Sequence, residues 1–456
     1  MTDHKHQIMG SCEQGKRSGR IYLWLSAGFM MILGGVAAYL FLDRELFQGN
    51  SALMRKLENA DLSAEPSDPN QVGNWPAWRG PRRDGWSQET GLLSKWPESG
   101  PKLIWQAKTG AGYSDLAVAS GKAVTLLQED KDEAVVCWDA DTGNELWRFK
   151  YASQYLDPQG SGPRSTPAVD GDRVYTVGAR GMIHCLKTGN GDVLWKHDSA
   201  QEFQGSVPRW GVSFSPLVEG NLVFTNPGGP NGNSIVAFDN MTGEIVWKNL
   251  DDPPAYSSPI AATIRGKRQI LFFTQTGLVS VTPEDGTLLW RYPWTTRFDA
   301  NIATPIVVGD YVFISSDYDK GCAVLEITAD GDGSLQANSV YEHNRMRNHF
   351  STSVYFQDHL YGFDDATLVR MNFRTGKIAW KKKDFKKGSL LIVDGKLIIL
   401  GESGTLALAE ATPSEYREIS SFQFSRNKCW TSPVLAGGRL YVRDEEKIVC
   451  YDLRGK

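Results

Sequence analysis

The chain has 456 residues, 46 of them Gly and 15 Trp, which is room for two or three ordinary domains or one large repeat array rich in turns and recurring aromatic positions. A net charge of −4 excludes a global basic field, so no nucleic-acid partner is expected and electrostatic recognition has to come from local patches.

Ile21 to Leu42 contains no Asp, Glu, Lys or Arg, and 22 residues at about 1.5 Å each just span a hydrocarbon core of roughly 30 Å. The run ends in YLFLD without a small-residue cleavage site, and Cys12 precedes it, so it reads as an uncleaved signal anchor. Lys5, Lys16, Arg17 and Arg20 ahead of it bias residues 1–20 toward a cytoplasmic tail. The expectation is a single-pass protein of the inner (cytoplasmic) membrane with its remaining mass on the periplasmic or exoplasmic side. Residues 43–74 read as a tether: Arg44 to Ala60 is compatible with a short helix, and Asp61 to Asn74 is polar and Pro-interrupted. Residues 75–100 form a lead-in segment with Trp75, Trp78 and Trp86 close together, too aromatic for a linker and expected to pack on the repeats C-terminal to it.

From there one pattern recurs: small residue, Ser/Thr, Pro, apolar, a Gly turn, then Val and an aromatic. Its eight starts are SDLAVASGKAV, STPAVDGDRVY, FSPLVEGNLVF, SSPIAATIRGKRQILF, ATPIVVGDYVF, STSVYFQDHLY, SLLIVDGKLII and TSPVLAGGRLY. Each copy takes about 44 residues, the length of four short strands with turns. The last copy stops before its closing strand, while PKLIWQAKT, Pro101 to Thr109, is a closing strand without a beginning. The two fragments complete one blade. The predicted fold is therefore all-β, an eight-bladed β-propeller of four-stranded blades over residues 75–456, closed by strands from both termini so that the ring has no free end.

Trp105, Trp147, Trp195, Trp247, Trp290 and Trp380 end six copies and are expected to wedge between blades. The fifth and seventh copies lack this Trp, which predicts the least regular blades there. Cys137, Cys185 and Cys450 share one repeat position and read as small core residues with free thiols.

The Thr-Gly-x-x-x-Trp endings, Thr142/Gly143/Trp147, Thr242/Gly243/Trp247 and Thr375/Gly376/Trp380, resemble the pyrroloquinoline quinone (PQQ) repeat. That resemblance covers roughly Trp75 to Lys456 and implies either a quinoprotein dehydrogenase or a non-catalytic propeller such as BamB. The dehydrogenases are known for two adjacent cysteines beside the cofactor, a calcium held by Glu and Asn, and an Asp base. No Cys-Cys pair occurs here. DADTG, DYDKG and ADGDGS lack the spacing of a calcium loop and read as turns, so no catalytic residue and no metal site is assigned.

The connectors that lead from the outer strand of one blade to the inner strand of the next converge on an axial funnel. Seven of eight carry a base, among them Arg164, Arg209, Arg297, Arg345, Arg347 and Lys387, and aromatic residues accompany them, among them Tyr113, Trp210, Tyr256 and Trp430. These ten are the candidate ligand-binding residues, suited to an anionic ligand or an acidic patch on a partner. The expected function is a monomeric, non-catalytic protein- or ligand-binding scaffold in the cell envelope, with an envelope protein or an anionic ligand at the funnel, the membrane at Ile21–Leu42, and no cofactor. The alternative is a PQQ-dependent oxidoreductase of alcohol or sugar dehydrogenase type, with PQQ and calcium on the axis.

Overall fold

Thirty-two of the described strands form eight four-stranded blades, seven of them built in chain order from inner to outer strand. The computed structural model describes residues 46–62, 72–412 and 414–455. Blade 1 covers residues 117–152, and blades 2 to 7 begin at Ala168, Leu217, Ile260, Ile306, Val354 and Gly388. Blade 8 joins both ends of the chain: Lys102–Lys108 pairs antiparallel with Lys447–Asp452, Trp105 facing Cys450. The ring closes as the split repeat requires.

The hydrophobic core is not central. It is divided into clusters between neighbouring blades, such as Val124, Cys137, Trp147, Val174 and Leu186 between blades 1 and 2. The wedge tryptophans sit in these clusters. Trp105, Trp147, Trp195, Trp247 and Trp380 are buried, and each indole N–H donates to a carbonyl in the outer hairpin of the next blade: Ala140, Thr188, Asn240, Pro283 and Thr412, at 2.8–3.2 Å. The Thr-Gly turn is the other half of that joint. Gly143 has φ 73°, and a Cβ there would lie 2.6 Å from the Trp105 ring, so both backbone sign and close approach demand glycine.

The fifth and seventh blades solve their missing Trp differently from the expected irregularity. In blade 5, Tyr341 takes the position and its hydroxyl donates to Phe373 O of blade 6 at 2.7 Å. In blade 7, Ser420 takes it, and Trp96 of the lead-in segment is buried there, its backbone N–H donated to the Ser420 hydroxyl at 3.0 Å. These two blades are also the ones that acquire a fifth strand, Phe47–Gly49 on blade 5 and Trp86–Ser87 on blade 7. All five described cysteines are buried and free.

The propeller unit begins at Phe47, inside the stretch expected to be a tether. Phe47–Gly49 pairs antiparallel with the outermost strand of blade 5, and the helix α1, Ser51–Glu58, comes next with Asn50 as its N-cap. Leu57 is fully buried, and Arg374 of blade 6 donates to the carbonyls of Leu57 and Ala60 at 2.7 and 2.9 Å, capping the helix end. The short helix expected within Arg44 to Ala60 is thus present, but it is docked on the propeller and not part of a free tether, with Leu57 and Leu62 buried in the same cluster as Tyr341 and Met346. Ile21–Leu42 and residues 63–71 lie outside the described residues. Among the described residues no helix is long and apolar enough to cross a membrane.

Candidate functional site

Four strands that alternate in direction send the blade-to-blade connectors and the hairpins between the second and third strands to one face, and the remaining hairpins to the other. The Ser/Thr-Pro signature sits where the connector enters the inner strand, and its purpose is visible around the axis. Asp115 N–H donates to Thr166 Oγ1, Thr166 N–H to Ser215 Oγ, Ser215 N–H to Ser258 Oγ and Thr304 N–H to Thr352 Oγ1, at 2.8–3.3 Å. Blades 2, 3, 4 and 6 thus each offer a hydroxyl to the blade before them. Blade 1 carries Asp115 in the hydroxyl position, and its Oδ1 accepts from Ser432 N–H of blade 8 at 2.8 Å. Burial pushes the Asp115 carboxyl up to about 7, against the lowering influence of Ser432 and the Arg443 guanidinium.

The lead-in segment closes the axis from the face opposite the connectors. It is held at its rim by Trp75 bridging Val118, Pro76 O accepting from Val169 N–H, and the Glu89 carboxylate accepting from the Gly437 and Gly438 amides. Between these supports Arg79 and Arg83 turn inward, both buried. Arg79 donates to Thr352 O at 2.8 Å and to Ser353 O and Asp84 O at 2.7 Å; Arg83 donates to Pro259 O at 2.9 Å, Ser215 O at 3.3 Å and Pro216 O. Burial pulls both guanidiniums down, to about 10 and about 9, which leaves them charged at neutral pH. Three blades are tied to one short segment.

The connector face is left with a blind funnel, a cavity of about 400 Å³ whose lining includes Trp78 of the plug. Six of the ten sequence candidates line it: Tyr113, Arg164, Arg209, Trp210, Tyr256 and Trp430. The rings run almost continuously around the wall. Trp430 stacks on Phe350 at 5.2 Å and tilts against Tyr113 at 5.3 Å, while Trp210 lies parallel to Tyr318 at 5.9 Å and tilts against Tyr256 at 5.5 Å. Arg164 lies over Tyr155 at 4.9 Å and donates to the carbonyls of Gly160 and Gly162; Arg209 lies over Trp210 and Phe298 at 5.7 and 5.6 Å. His349 also lines the cavity and is pulled down to about 4 by burial and by Lys387, so it is neutral there. Burial raises the hydroxyls of Tyr256 and Tyr318 to about 12.

The other four candidates are not brought to the cavity. Arg297 is exposed and stacks on Phe298 at 4.9 Å. Arg345 and Arg347 share Asp364, at 3.8 and 2.7 Å, and Lys387 pairs with Asp365 at 2.9 Å and Asp317 at 3.9 Å. The acids come from the hairpins of blades 5 and 6, which carry no mark of the connector pattern in the sequence. The same lack hid Tyr318, which sits in one of those hairpins. Trp78 carries no repeat signature, since it enters from the opposite face.

The lining tests the quinoprotein alternative. It contains no Asp or Glu, so nothing in it supplies a carboxylate to a cofactor-bound calcium or a catalytic base, and no adjacent cysteine pair exists in the chain. No group of His, Cys, Asp and Glu side chains among the described residues is placed to hold a metal ion. The residues present do not fit calcium-dependent PQQ.

Residues 131–382 match the family described as outer membrane protein assembly factor BamB. The chain belongs to this family. It is 25% identical over 361 residues to outer membrane protein assembly factor BamB of Burkholderia pseudomallei (strain K96243), a match spanning 75% of this chain and 85% of that protein. The crystal structure of BamB from Moraxella catarrhalis shares the fold with a TM-score of 0.52 at 14% identity, covering 77% of this chain and 99% of that one. A quinohemoprotein alcohol dehydrogenase, ADHIIG from Pseudomonas putida HK5, also shares it, with a TM-score of 0.58 at 12% identity over 87% of this chain and 83% of that one. Backbone likeness therefore does not choose between BamB and the dehydrogenases. The funnel lining and the family match are what separate them.

Proposed function

We propose that this protein is a non-catalytic binding scaffold of the cell envelope, that it serves outer-membrane protein assembly as a member of the BamB family, and that its funnel face is the docking surface. The observation that carries the reading is the funnel itself: an aromatic wall with Arg164 and Arg209 laid on rings and hydrogen-bonded, where bonded at all, to carbonyls and not to carboxylates. Such a wall accepts an acidic, aromatic-bearing surface of a partner protein. Anchorage by Ile21–Leu42 in the inner membrane, with the propeller on its outer side, belongs to the same reading and rests on the apolar run alone.

Depletion of the protein in its source organism, with quantification of outer-membrane β-barrel proteins, tests the proposal. Their levels should fall and be restored by the wild-type chain but not by the Arg164→Glu/Arg209→Glu double variant. Unchanged barrel levels on depletion would refute the assembly role, and full rescue by the double variant would refute the funnel as the docking face.

A further inference from the structure

The funnel has a single mouth. The lead-in segment closes the other end of the axis, with Trp78 in the lining and Arg79 and Arg83 buried in the plug. A loop that enters a dead end has to carry two backbone stretches through the mouth and pair every N–H and C=O it buries. A chain end enters once. The cavity of about 400 Å³ lies near the small end of the range that holds single ligands, which favours the second case.

The lining limits what can fill it. Its walls are ring faces, those of Trp210, Tyr256, Tyr318, Phe350 and Trp430 among them, which accept another ring in offset or edge contact. Among the described residues of the lining only Arg164 and Arg209 are charged, because His349 is neutral. Arg164 gives two of its five N–H donors to Gly160 O and Gly162 O. Arg209 touches the Trp210 and Phe298 rings and makes no hydrogen bond among the described residues. Two carboxylates reach the rings from outside the lining, and both are engaged: Glu445 accepts from the Tyr113 hydroxyl at 2.8 Å and Glu402 from Trp430 Nε1 at 2.7 Å. The cavity therefore suits a ring and an anion together. No ordinary side chain is both at neutral pH, since the tyrosine hydroxyl ionises only at about pH 10. An aromatic residue at the C-terminus of a chain is both, because its own α-carboxylate is free.

We propose that the blind funnel is a pocket for the C-terminal residue of a partner polypeptide, an aromatic residue whose ring lies against the wall and whose free carboxylate is drawn to Arg164 and Arg209. The inference rests on the reading of the funnel face as a protein-docking surface and specifies which part of the partner enters it. The ring supplies contact area and the carboxylate charge-assisted hydrogen bonds, so each half of the occupant has its own partner in the lining.

The test titrates the full chain by calorimetry with a short acetylated peptide that ends in phenylalanine with a free carboxylate. Its C-terminal amide, its variant ending in alanine, and a peptide that places phenylalanine beside glutamate in mid-chain are the comparisons, and N-acetylphenylalanine offers the same ring and carboxylate without a chain. Amidation should weaken binding about tenfold, and so should the loss of the ring. The Arg209→Gln variant, which breaks no hydrogen bond among the described residues, should keep the wild-type thermal midpoint and shrink the preference for the free acid to about threefold or less. Equal affinity for acid and amide, for the terminal and mid-chain peptides, or an unchanged preference in Arg209→Gln would overturn the chain-end pocket. N-acetylphenylalanine binding as tightly as the peptide would overturn it in favour of a small aromatic acid. Docking itself is read separately, by rescue of barrel levels with the Arg164→Glu/Arg209→Glu variant: lost rescue beside equal acid and amide affinity refutes only the chain-end pocket, whereas full rescue refutes the docking face.

Discussion

The two ends of the axial channel are made from the same materials, arginine and aromatic rings, and use them in opposite ways. At the plug, Arg79 and Arg83 are 5% and 4% exposed and give their N–H groups to backbone carbonyls of blades 3, 4 and 6. At the funnel, Arg209 rests on ring faces around open volume, and Arg164 does so while donating only to Gly160 O and Gly162 O of its own connector. A guanidinium saturated by carbonyls is committed to stability, because removing it leaves several buried acceptors unpaired. One laid on an aromatic wall keeps its charge available to whatever enters. Residue type alone does not tell these roles apart; the number of fixed acceptors does.

The sharpest way to break the comparison is at the plug. Arg83→Ala should destabilise the protein by about 3–5 kcal/mol, since three carbonyls lose a charged donor, read as a lower urea midpoint with little change in slope. Trp147→Ala should cost about 3–5 kcal/mol for the lost indole and its cavity, and Trp147→Phe about 1–3 kcal/mol, because the Thr188 carbonyl then loses its donor. Arg79 and Arg83 losing less than a wedge tryptophan would show that the plug is an ornament on a ring that closes without it.

Asp115 links the two ends and gives a pH signature. Its folded value is raised to about 7 by burial, so the folded state holds a proton that the unfolded chain has released. The stability this contributes is complete below about pH 4 and is lost as pH rises through about 7. Asp115→Asn, which keeps an acceptor for Ser432 N–H, should flatten that part of the profile by up to about 4 kcal/mol, measured as the thermal midpoint from pH 4 to 8. A wild-type profile that rises over this range would contradict the assignment. The smallest effect belongs to the funnel: Arg209→Ala should change stability by less than about 1 kcal/mol while weakening partner capture.

The ring was the most legible part of the sequence. Pro101 to Thr109 is a strand without a blade and Thr431 to Lys456 a blade without a strand, and the Trp–Gly joints arise from positive φ and van der Waals contact, both local properties. The site was legible only where the chain announces it. Connector residues such as Arg164 and Trp430 lie next to the repeat signature and were found; Tyr318 lies across a hairpin and Trp78 on the far side of the ring, and neither adjacency is written along the chain. Arg345, Arg347 and Lys387 were misplaced for the same reason, since the aspartates that occupy them come from another part of each blade. The docking of residues 47–62 was invisible because its apolar partners, among them Tyr341 and Met346, belong to the propeller.

The central claim is that the funnel face receives a protein. A photo-crosslinking side chain placed at Phe350, inside the funnel, and separately at Leu146, on the outer edge of blade 1, tests it in living cells. The account predicts an adduct with an envelope protein of outer-membrane assembly from position 350 and none from position 146. Adducts from position 146 alone would contradict it and move the docking surface to the rim of the ring.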